Sequence, residues 1–340
     1  MRDAESINSV TSPDGPLWSA TGDPLVVVDL DETPPSPLVL DVTQPVVVVG
    51  HARNPEDHDL DGVDVALTTA HASGRSWIQV EDLEEALTSV RTVVARNPLA
   101  SVVVAQVLRA TQSLGAAQSL LFESIAYGLL QGGPEHLQWR TTAPGGTLFQ
   151  PDDEPDVIVE RAGDELSLTF NRPRQRNAYR ARTRDELVAG LEVALLDESI
   201  STVHLRGAGL TFGSGGDLRE FGTVHDGATG HLIRSSRNAA LLLSRLANRT
   251  TAHVHGPCYG AGVELAAACS NVIARPDTTF TLPEVAMGLI PGAGGTWSVP
   301  RRIGRHRATW MALSGEPVDA VRALDWGLID ELSDVGNDQH

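Results

Sequence analysis

Two glutamates, Glu264 and Glu284, lie in the stretch CYGAGVELAAACSNVIARPDTTFTLPEVAMGLIPGAGGT, where their neighbours are mostly glycine, alanine and larger apolar residues. A carboxylate in such surroundings costs free energy unless it is paired, protonated or used. Two carboxyl groups with raised pKa values suit acid–base chemistry near neutral pH. The alternative is that each charge stabilises a helix start, since Glu264 follows a start predicted near Ala261 and Glu284 follows Pro283.

Two loops could present backbone N–H groups to the same ligand. In GLTFGSGGDLREF, a short strand runs into Gly213, Gly215 and Gly216, which allow a sharp turn and a close approach of the backbone. In HGPCYGAGVELAAAC, a strand ends in a turn and a helix begins near Ala261, so that the free N–H groups of the helix face outward. Together the two loops could hold one developing oxyanion.

The pattern along the chain indicates two α/β regions. PLVVVDL and PVVVVGHA predict buried strands, and helical periodicity follows up to about residue 140. A segment rich in proline, glycine and acids is typical of a linker, after which strands alternate with helices, including one amphipathic helix over GHLIRSSRNAALLLSRLANR. We therefore divide the chain into an N-terminal strand-and-helix region (1–145), a linker (146–156) and a core (157–340).

The composition excludes several classes of protein. The formal net charge of -18 would repel a nucleic-acid backbone, so any anionic ligand must meet a local basic patch. The first residues lack an apolar signal core, and no apolar run is long enough to cross a bilayer. The 2 cysteines favour a reducing compartment. We expect a cytoplasmic protein without a nucleic-acid or membrane partner.

Five motifs in order carry a resemblance to a known family: NRPRQRNAY, FGSGGDL, HGPCYGAGVELA, FTLPEVAMGLIPGAGGT and RALDWGLIDEL. From residue 156 to about 333 the chain resembles the crotonase, or enoyl-CoA hydratase/isomerase, family. The resemblance implies an α/β fold, a crotonase-like spiral of repeated ββα units. It also implies C-terminal helices that complete the active site, and a homotrimer or hexamer.

The resemblance also implies roles for the site residues. The N–H groups of Gly216 and Ala261 would form the oxyanion hole, with alanine where the family usually has glycine. Glu264 would deprotonate the water that attacks C3 of a 2-enoyl-CoA, and Glu284 would give a proton to C2. Coenzyme A is then part of an acyl-CoA thioester substrate, and no separate cofactor is implied. Other crotonase reactions (isomerisation, decarboxylation, thioester hydrolysis) and a non-catalytic acyl-CoA-binding subunit remain alternatives.

An arginine-rich run, RPRQRNAYRARTR, lies where the family binds the nucleotide end of coenzyme A. Guanidinium groups suit its phosphates, although most of these arginines are expected to be solvated. The residues expected to contact coenzyme A are Arg174, Arg176, Asn177, Ala178, Ser214, Gly215, Asp217 and Leu218.

No metal or nucleotide cofactor is expected. Asp57, Asp59 and Asp61 match the start of a calcium loop, but Thr68 occupies the position of the bidentate glutamate, so a turn is favoured. PGAGGT has no lysine for a phosphate loop, and YGAGVELA lacks the third glycine of a dinucleotide motif.

One departure from the family concerns the helices after the core. The family continues with several helices after its equivalent of GLIDEL, whereas this chain ends at His340. Residues 81–140 resemble those helices. We expect the N-terminal region to be a truncated crotonase-like half whose helices replace the missing ones, over the chain's own site or a neighbour's.

Overall fold

The computed structural model describes residues 24–32, 42–55, 58–143, 154–224 and 226–333. The N-terminal region begins with a parallel sheet in the order β1-β2-β3-β4. Its central strands, β2 and β3, are almost entirely buried, as expected for β-branched runs covered on both faces. The four strands are β1 Leu25–Asp29, β2 Val47–His51, β3 Val65–Thr68 and β4 Trp77–Gln79.

Four helices follow this sheet. The side chain of Asp82 caps the first by accepting the N–H of Glu85, and Pro98 and Pro134 begin the second and fourth. The continuous helical pattern after residue 98 is broken between Thr111 and Ala116. The helices are α1 Leu83–Arg96, α2 Pro98–Thr111, α3 Ala116–Gln131 and α4 Pro134–Thr142.

The second region contains two sheets. The larger has the order β13-β10-β8-β7-β6-β5, in which only the β5–β6 hairpin is antiparallel. The smaller has the order β12-β11-β9. The strands are β5 Val157–Ala162, β6 Glu165–Phe170, β7 Thr202–Gly207, β8 Thr250–Val254, β9 Pro257–Tyr259, β10 Asn271–Ala274, β11 Thr279–Thr281, β12 Val318–Asp319 and β13 Glu331–Leu332.

The single amphipathic helix predicted for 230–249 is wrong. The backbone of Asn238 is extended and its side chain accepts the N–H of Leu241, which starts a second helix. The helices of this region are α5 Ala181–Leu196, α6 Gly227–Ser236, α7 Ala239–Arg245, α8 Ala261–Ala268, α9 Gly295–Ile303, α10 Arg305–Ser314 and α11 Ala320–Trp326. Short 3-10 helices lie at Pro173–Gln175, Ala247–Arg249 and Glu284–Met287.

The two regions share one hydrophobic core. A single cluster of buried side chains runs from Val47 in β2 through Leu130 in α3 to Ile329. Helices α2 and α3 pack on α9, and α1 and α2 pack on α10. A buried carboxylate, Asp64, joins the regions by pairing with Arg109 and Arg305. The N-terminal helices therefore lie against the part of the chain that carries Glu264 and Glu284.

Most of the predicted linker (146–153) lies outside the described residues. At its end, Asp156 is buried and forms an ion pair with Arg180. Within the described parts of the chain, no single helix meets the length and apolarity needed to cross a membrane; α1 and α2 meet them only as a pair bent by 109°.

Candidate active site

One cavity of about 590 Å³ brings the predicted site residues together. Its size lies in the range of ligand pockets. Its walls include Glu264, Glu284, Gly216 and Ala261 from the second region. The N-terminal helices contribute Tyr127, Gln131 and His136 to the same walls.

Glu264 belongs to helix α8, and its side chain binds the start of helix α9. It lies in the first turn of α8, and its side chain is 2% exposed. Its Oε2 accepts the N–H groups of Ala293 (2.7 Å) and Gly295 (2.8 Å), the latter being the first residue of α9. Two N–H donors and a helix N-terminus favour the ionised form of this carboxyl group.

Glu284 has no comparable support. It begins the 3-10 helix Glu284–Met287, and its Oε2 is buried without a hydrogen-bond partner among the described residues. Its Oε1 lies against Gly260, which has no side chain and has a positive φ of 45°. A buried carboxyl oxygen without a donor favours the protonated form.

Burial raises the pKa of both carboxyl groups. Burial raises the pKa of Glu284 to about 8, against the opposing N–H of its own backbone and with a smaller contribution from the charge of Glu123. The pKa of Glu264 is also raised, by burial and then by the charges of Glu284 and Glu123, against the opposing N–H groups of Ala293 and Gly295. Such a pair can hold one proton between two sites near neutral pH.

Gly216 and Ala261, the residues predicted to form the oxyanion hole, line the same cavity. Gly216 forms a β-bridge with Tyr179. The two hydrogen bonds of this bridge run from the N–H of Tyr179 to the carbonyl of Gly215 and from the N–H of Asp217 to the carbonyl of Tyr179, so neither uses the N–H of Gly216. Ala261 is the first residue of α8, where N–H groups have no partner within the helix. The two loops touch because Gly213 packs directly on Gly262.

The residues proposed for coenzyme A fall into two groups. Ser214, Gly215, Asp217 and Leu218 line the cavity. Arg174, Arg176, Asn177 and Ala178 lie on the adjoining loop and are not among its lining; the first two are exposed.

Two of these residues already have partners within the protein. The amide of Asn177 accepts the N–H of Arg172 and donates to the carbonyls of Ala208 and Thr211. The carboxylate of Asp217 pairs with Arg172 and Arg219. These side chains therefore fix the shape of the two loops.

Four residues near the site, from the N-terminal helices and α6, have no signal in the sequence motifs. Glu123 is buried and accepts hydrogen bonds from Gly294 and Thr296 at the start of α9. Arg234 stacks over the ring of Tyr127 at 4.3 Å. His136 is buried, and its Nδ1 lies 3.0 Å from the carbonyl of Met287, one turn after Glu284. Burial lowers the pKa of His136.

The remaining motifs show no ligand cluster. Asp57 lies outside the described residues, and Asp59 accepts the N–H of Asp61 in a turn. Among the residues that the structure describes, no group of three or more histidine, cysteine or acidic side chains could hold a metal ion.

A model of the family described as enoyl-CoA hydratase/isomerase matches residues 165–337. The chain belongs to this family. The resemblance inferred from the five motifs is confirmed, and the enzyme family acts on acyl-CoA thioesters. The α/β crotonase-like fold class is confirmed as well.

Curated relatives within the family differ in their reactions. The chain is 38% identical to 2,3-dehydroadipyl-CoA hydratase of Escherichia coli over 177 residues, which cover 52% of this chain and 69% of that protein. It is 34% identical to a probable enoyl-CoA hydratase of Bacillus subtilis, covering 48% and 63%. It is 33% identical to 1,2-epoxyphenylacetyl-CoA isomerase of Escherichia coli, covering 50% and 66%.

Solved structures agree with this assignment. DspI of Pseudomonas aeruginosa has a TM-score of 0.50 at 31% identity, over 56% of this chain and 72% of that chain. An enoyl-CoA hydratase/isomerase from Mycobacterium paratuberculosis has a TM-score of 0.50 at 27% identity, over 54% and 75%.

Proposed function

We propose that this protein is an enoyl-CoA hydratase that adds water across the C2=C3 bond of a 2-enoyl-CoA thioester. The observation that carries the proposal is the presence of two buried carboxyl groups with raised pKa values, Glu264 and Glu284, on the wall of one cavity. Two relatives named as hydratases support it.

The two glutamates divide the proton transfers. Glu264, whose Oε2 has two N–H donors, is the ionised base, and its Oε1 takes a proton from the water whose oxygen bonds to C3. Glu284, which has an oxygen without a donor, is the protonated acid and gives its proton to C2. Afterwards the proton on Glu264 returns to Glu284, directly or through solvent, so that protons balance over the cycle.

The oxyanion hole acts on the thioester carbonyl. As water adds to C3, negative charge moves to the carbonyl oxygen, to which the N–H groups of Gly216 and Ala261 donate hydrogen bonds. Such donors bind the developing oxyanion more strongly than the ground-state carbonyl, and this difference lowers the barrier. The Ala261 methyl group narrows the space beside this oxygen.

The nucleotide end of coenzyme A extends toward the loops 174–178 and 214–218. Arg174 and Arg176 are exposed, and guanidinium groups suit the phosphates of coenzyme A. We propose that the backbone of Ser214, Gly215 and Leu218 borders the pantetheine, while the Asn177 and Asp217 side chains shape the loop.

An anionic acyl chain fits the far wall of the cavity. No described carboxylate forms an ion pair with Arg234, and two of its five N–H donors are used, by Gln131 (3.2 Å) and the carbonyl of Ser124 (3.2 Å). A buried cation is stabilised by a partner of opposite charge. The relative named 2,3-dehydroadipyl-CoA hydratase supports a substrate with a terminal carboxylate.

A homotrimer or hexamer in the cytoplasm is also a proposal. Helix α3 exposes an apolar face that a second copy would cover: Leu121, Phe122, Ile125 and Leu129. Sedimentation-velocity analysis tests this, and a monomer at micromolar concentration would contradict it.

The reaction is tested by the loss of the enoyl chromophore with crotonyl-CoA and a longer enoyl-CoA, and by the stereochemistry of the 3-hydroxyacyl product. Stereospecific hydration supports the proposal. Acyl-CoA binding without turnover favours a non-catalytic subunit. Movement of the double bond without hydration favours an isomerase.

A further inference from the structure

Two carboxylates share the start of helix α9. Glu264 Oε2 accepts the N–H groups of Ala293 and Gly295. Glu123, which belongs to α3 in the N-terminal region, accepts the N–H of Gly294 at Oε1 (2.8 Å) and both the N–H (2.9 Å) and the hydroxyl of Thr296 (2.8 Å) at Oε2. Four successive N–H groups, 293 to 296, therefore alternate between the two side chains.

This alternation fixes the direction of each N–H. Gly294 has a φ of 114°, a conformation that favours glycine and that turns its N–H away from those of its neighbours. Without an acceptor on the Glu123 side, the N–H groups of residues 294 and 296 would be unsatisfied at a buried helix start. The loop would then relax, and with it the two donors that hold Glu264.

We propose that Glu123 is a positioning residue for Glu264, supplied by the N-terminal helices. It holds the loop before α9 so that Glu264 Oε2 stays bound and Oε1 faces the reacting water. The proposal rests on the proposed function, because it assigns Glu264 as the base. It gives the N-terminal helices a role in the chemistry as well as in covering the cavity.

The negative charge of Glu123 also acts on the two proposed catalytic carboxyl groups, Glu264 and Glu284. The groups that face it are Arg234 of α6, Tyr127 of its own helix, and Glu264 and Glu284. Its negative charge raises the pKa of both Glu264 and Glu284. Removing that charge should lower the pKa of Glu284, which a purely structural cap at a distant site would not do. At Glu264 the loosened N–H donors of Ala293 and Gly295 oppose the same change.

The test compares Glu123→Gln with Glu135→Gln in the full chain. Glu135 caps α2 in the same way, by accepting the N–H groups of Leu99 (2.6 Å) and Ala100 (2.9 Å), and its charge is not among the causes of the raised pKa of Glu264. Both variants lose a capped helix start, so both should lose thermal stability. Only Glu123→Gln should change the chemistry.

We expect Glu123→Gln to lower kcat for crotonyl-CoA by about 10- to 100-fold with little change in KM, since small displacements of a catalytic group have effects of this size. We also expect the limb of its kcat–pH profile that belongs to Glu284 to move to lower pH. Glu135→Gln should keep the wild-type kcat and pH profile. Unchanged kcat and pH profile in Glu123→Gln, with lost stability alone, would overturn the proposal.

Two further measurements keep the test decisive. If Glu123→Gln does not fold, Thr296→Val removes only the hydroxyl that donates to Glu123, and a smaller fall in kcat is expected. If the wild type hydrates no enoyl-CoA, the proposed function fails. The positioning is then tested by amide hydrogen exchange at Ala293 and Gly295, whose N–H groups hold Glu264. Exchange there should be faster in Glu123→Gln than in Glu135→Gln, and equal rates in the two variants would show that Glu123 does not hold this loop.

Discussion

Glu284 Oε1 lies so close to Gly260 that a Cβ at position 260 would overlap it. Gly260 also has a positive φ of 45° and precedes the first residue of α8. The proposed acid and the oxyanion-hole helix therefore depend on one bare backbone position. A side chain there would displace Glu284, the start of α8, or both.

We predict that Gly260→Ala lowers kcat for crotonyl-CoA by about 100-fold, because a displaced acid no longer reaches C2. The control is Gly315→Ala, where φ is +63° but no atom lies within 4 Å of the added Cβ. Both variants should lose about 1 to 3 kcal/mol of unfolding free energy from backbone strain, measured by urea denaturation. Equal activities in the two variants would contradict the prediction.

The buried glutamates predict a fall in stability with pH. A carboxyl group whose pKa is raised from 4.5 to about 8, as for Glu284, binds its proton in the folded state but not in the unfolded state between those values. The unfolding free energy therefore falls as pH rises through this window. His306, whose pKa is lowered from 6.5 to about 4, works in the opposite direction. Between these two pH values it makes the unfolding free energy rise with pH.

The effect of Glu284 on the unfolding free energy is therefore seen most clearly above pH 6.5, where His306 no longer opposes it. Urea unfolding of the wild type at about pH 6.5 and 8 should show the decrease, and Glu284→Gln, which cannot ionise, should show a smaller one. A variant as sensitive to pH as the wild type would show that Glu284 is already ionised in the folded protein.

The buried ion pairs of Asp64 should stabilise the packing of the two regions against each other. It is fully buried, pairs with Arg109 and Arg305, and accepts the N–H of Val48. Asp64→Asn leaves two buried arginines without their carboxylate and should cost about 3 to 5 kcal/mol of unfolding free energy.

The control for Asp64 is an exposed ion pair. Asp197→Asn removes the charged partner of Arg161 at the surface and should cost far less unfolding free energy than Asp64→Asn. Urea denaturation compares the two, and similar losses would mean that the buried cluster adds nothing to the joining of the regions.

If Arg234 binds a terminal carboxylate of the acyl chain, its removal should affect substrates that carry this group most. Arg234→Met should lower kcat/KM for an enoyl-CoA with a terminal carboxylate by about 10- to 100-fold, the value of a lost charge-assisted hydrogen bond. Activity with crotonyl-CoA, which has no terminal carboxylate, should change much less. An equal loss for both substrates would instead place the phosphates of coenzyme A on Arg234.

The sequence was most informative where the signals are local. The helix start at Ala261, the hairpin at Val157–Phe170 and the juxtaposition of Glu264 and Glu284 follow from motifs within a few tens of residues. The predicted helix over 230–249 failed because the capping bond of Asn238 outweighs the apolar periodicity around it.

Contacts between distant segments could not be predicted in this way. In the sequence, Glu123 is one polar residue in an apolar helix. Nothing near it in the chain indicates that its carboxylate accepts the N–H groups of Gly294 and Thr296. Likewise, Asn177 and Asp217 resemble ligands for coenzyme A until their bonds to the protein are seen. Polar residues in such loops serve structure and binding alike, and only three-dimensional contacts separate the two.

The central claim is that two carboxyl groups carry the proton transfers of hydration. The most direct measurement is the turnover of crotonyl-CoA by the wild type, Glu264→Gln and Glu284→Gln, with the exposed Glu316→Gln as control and acyl-CoA binding measured for each. We predict that each active-site variant loses kcat by about 100-fold or more while it still binds acyl-CoA, and that the control is unchanged. Wild-type turnover in either active-site variant would contradict the account.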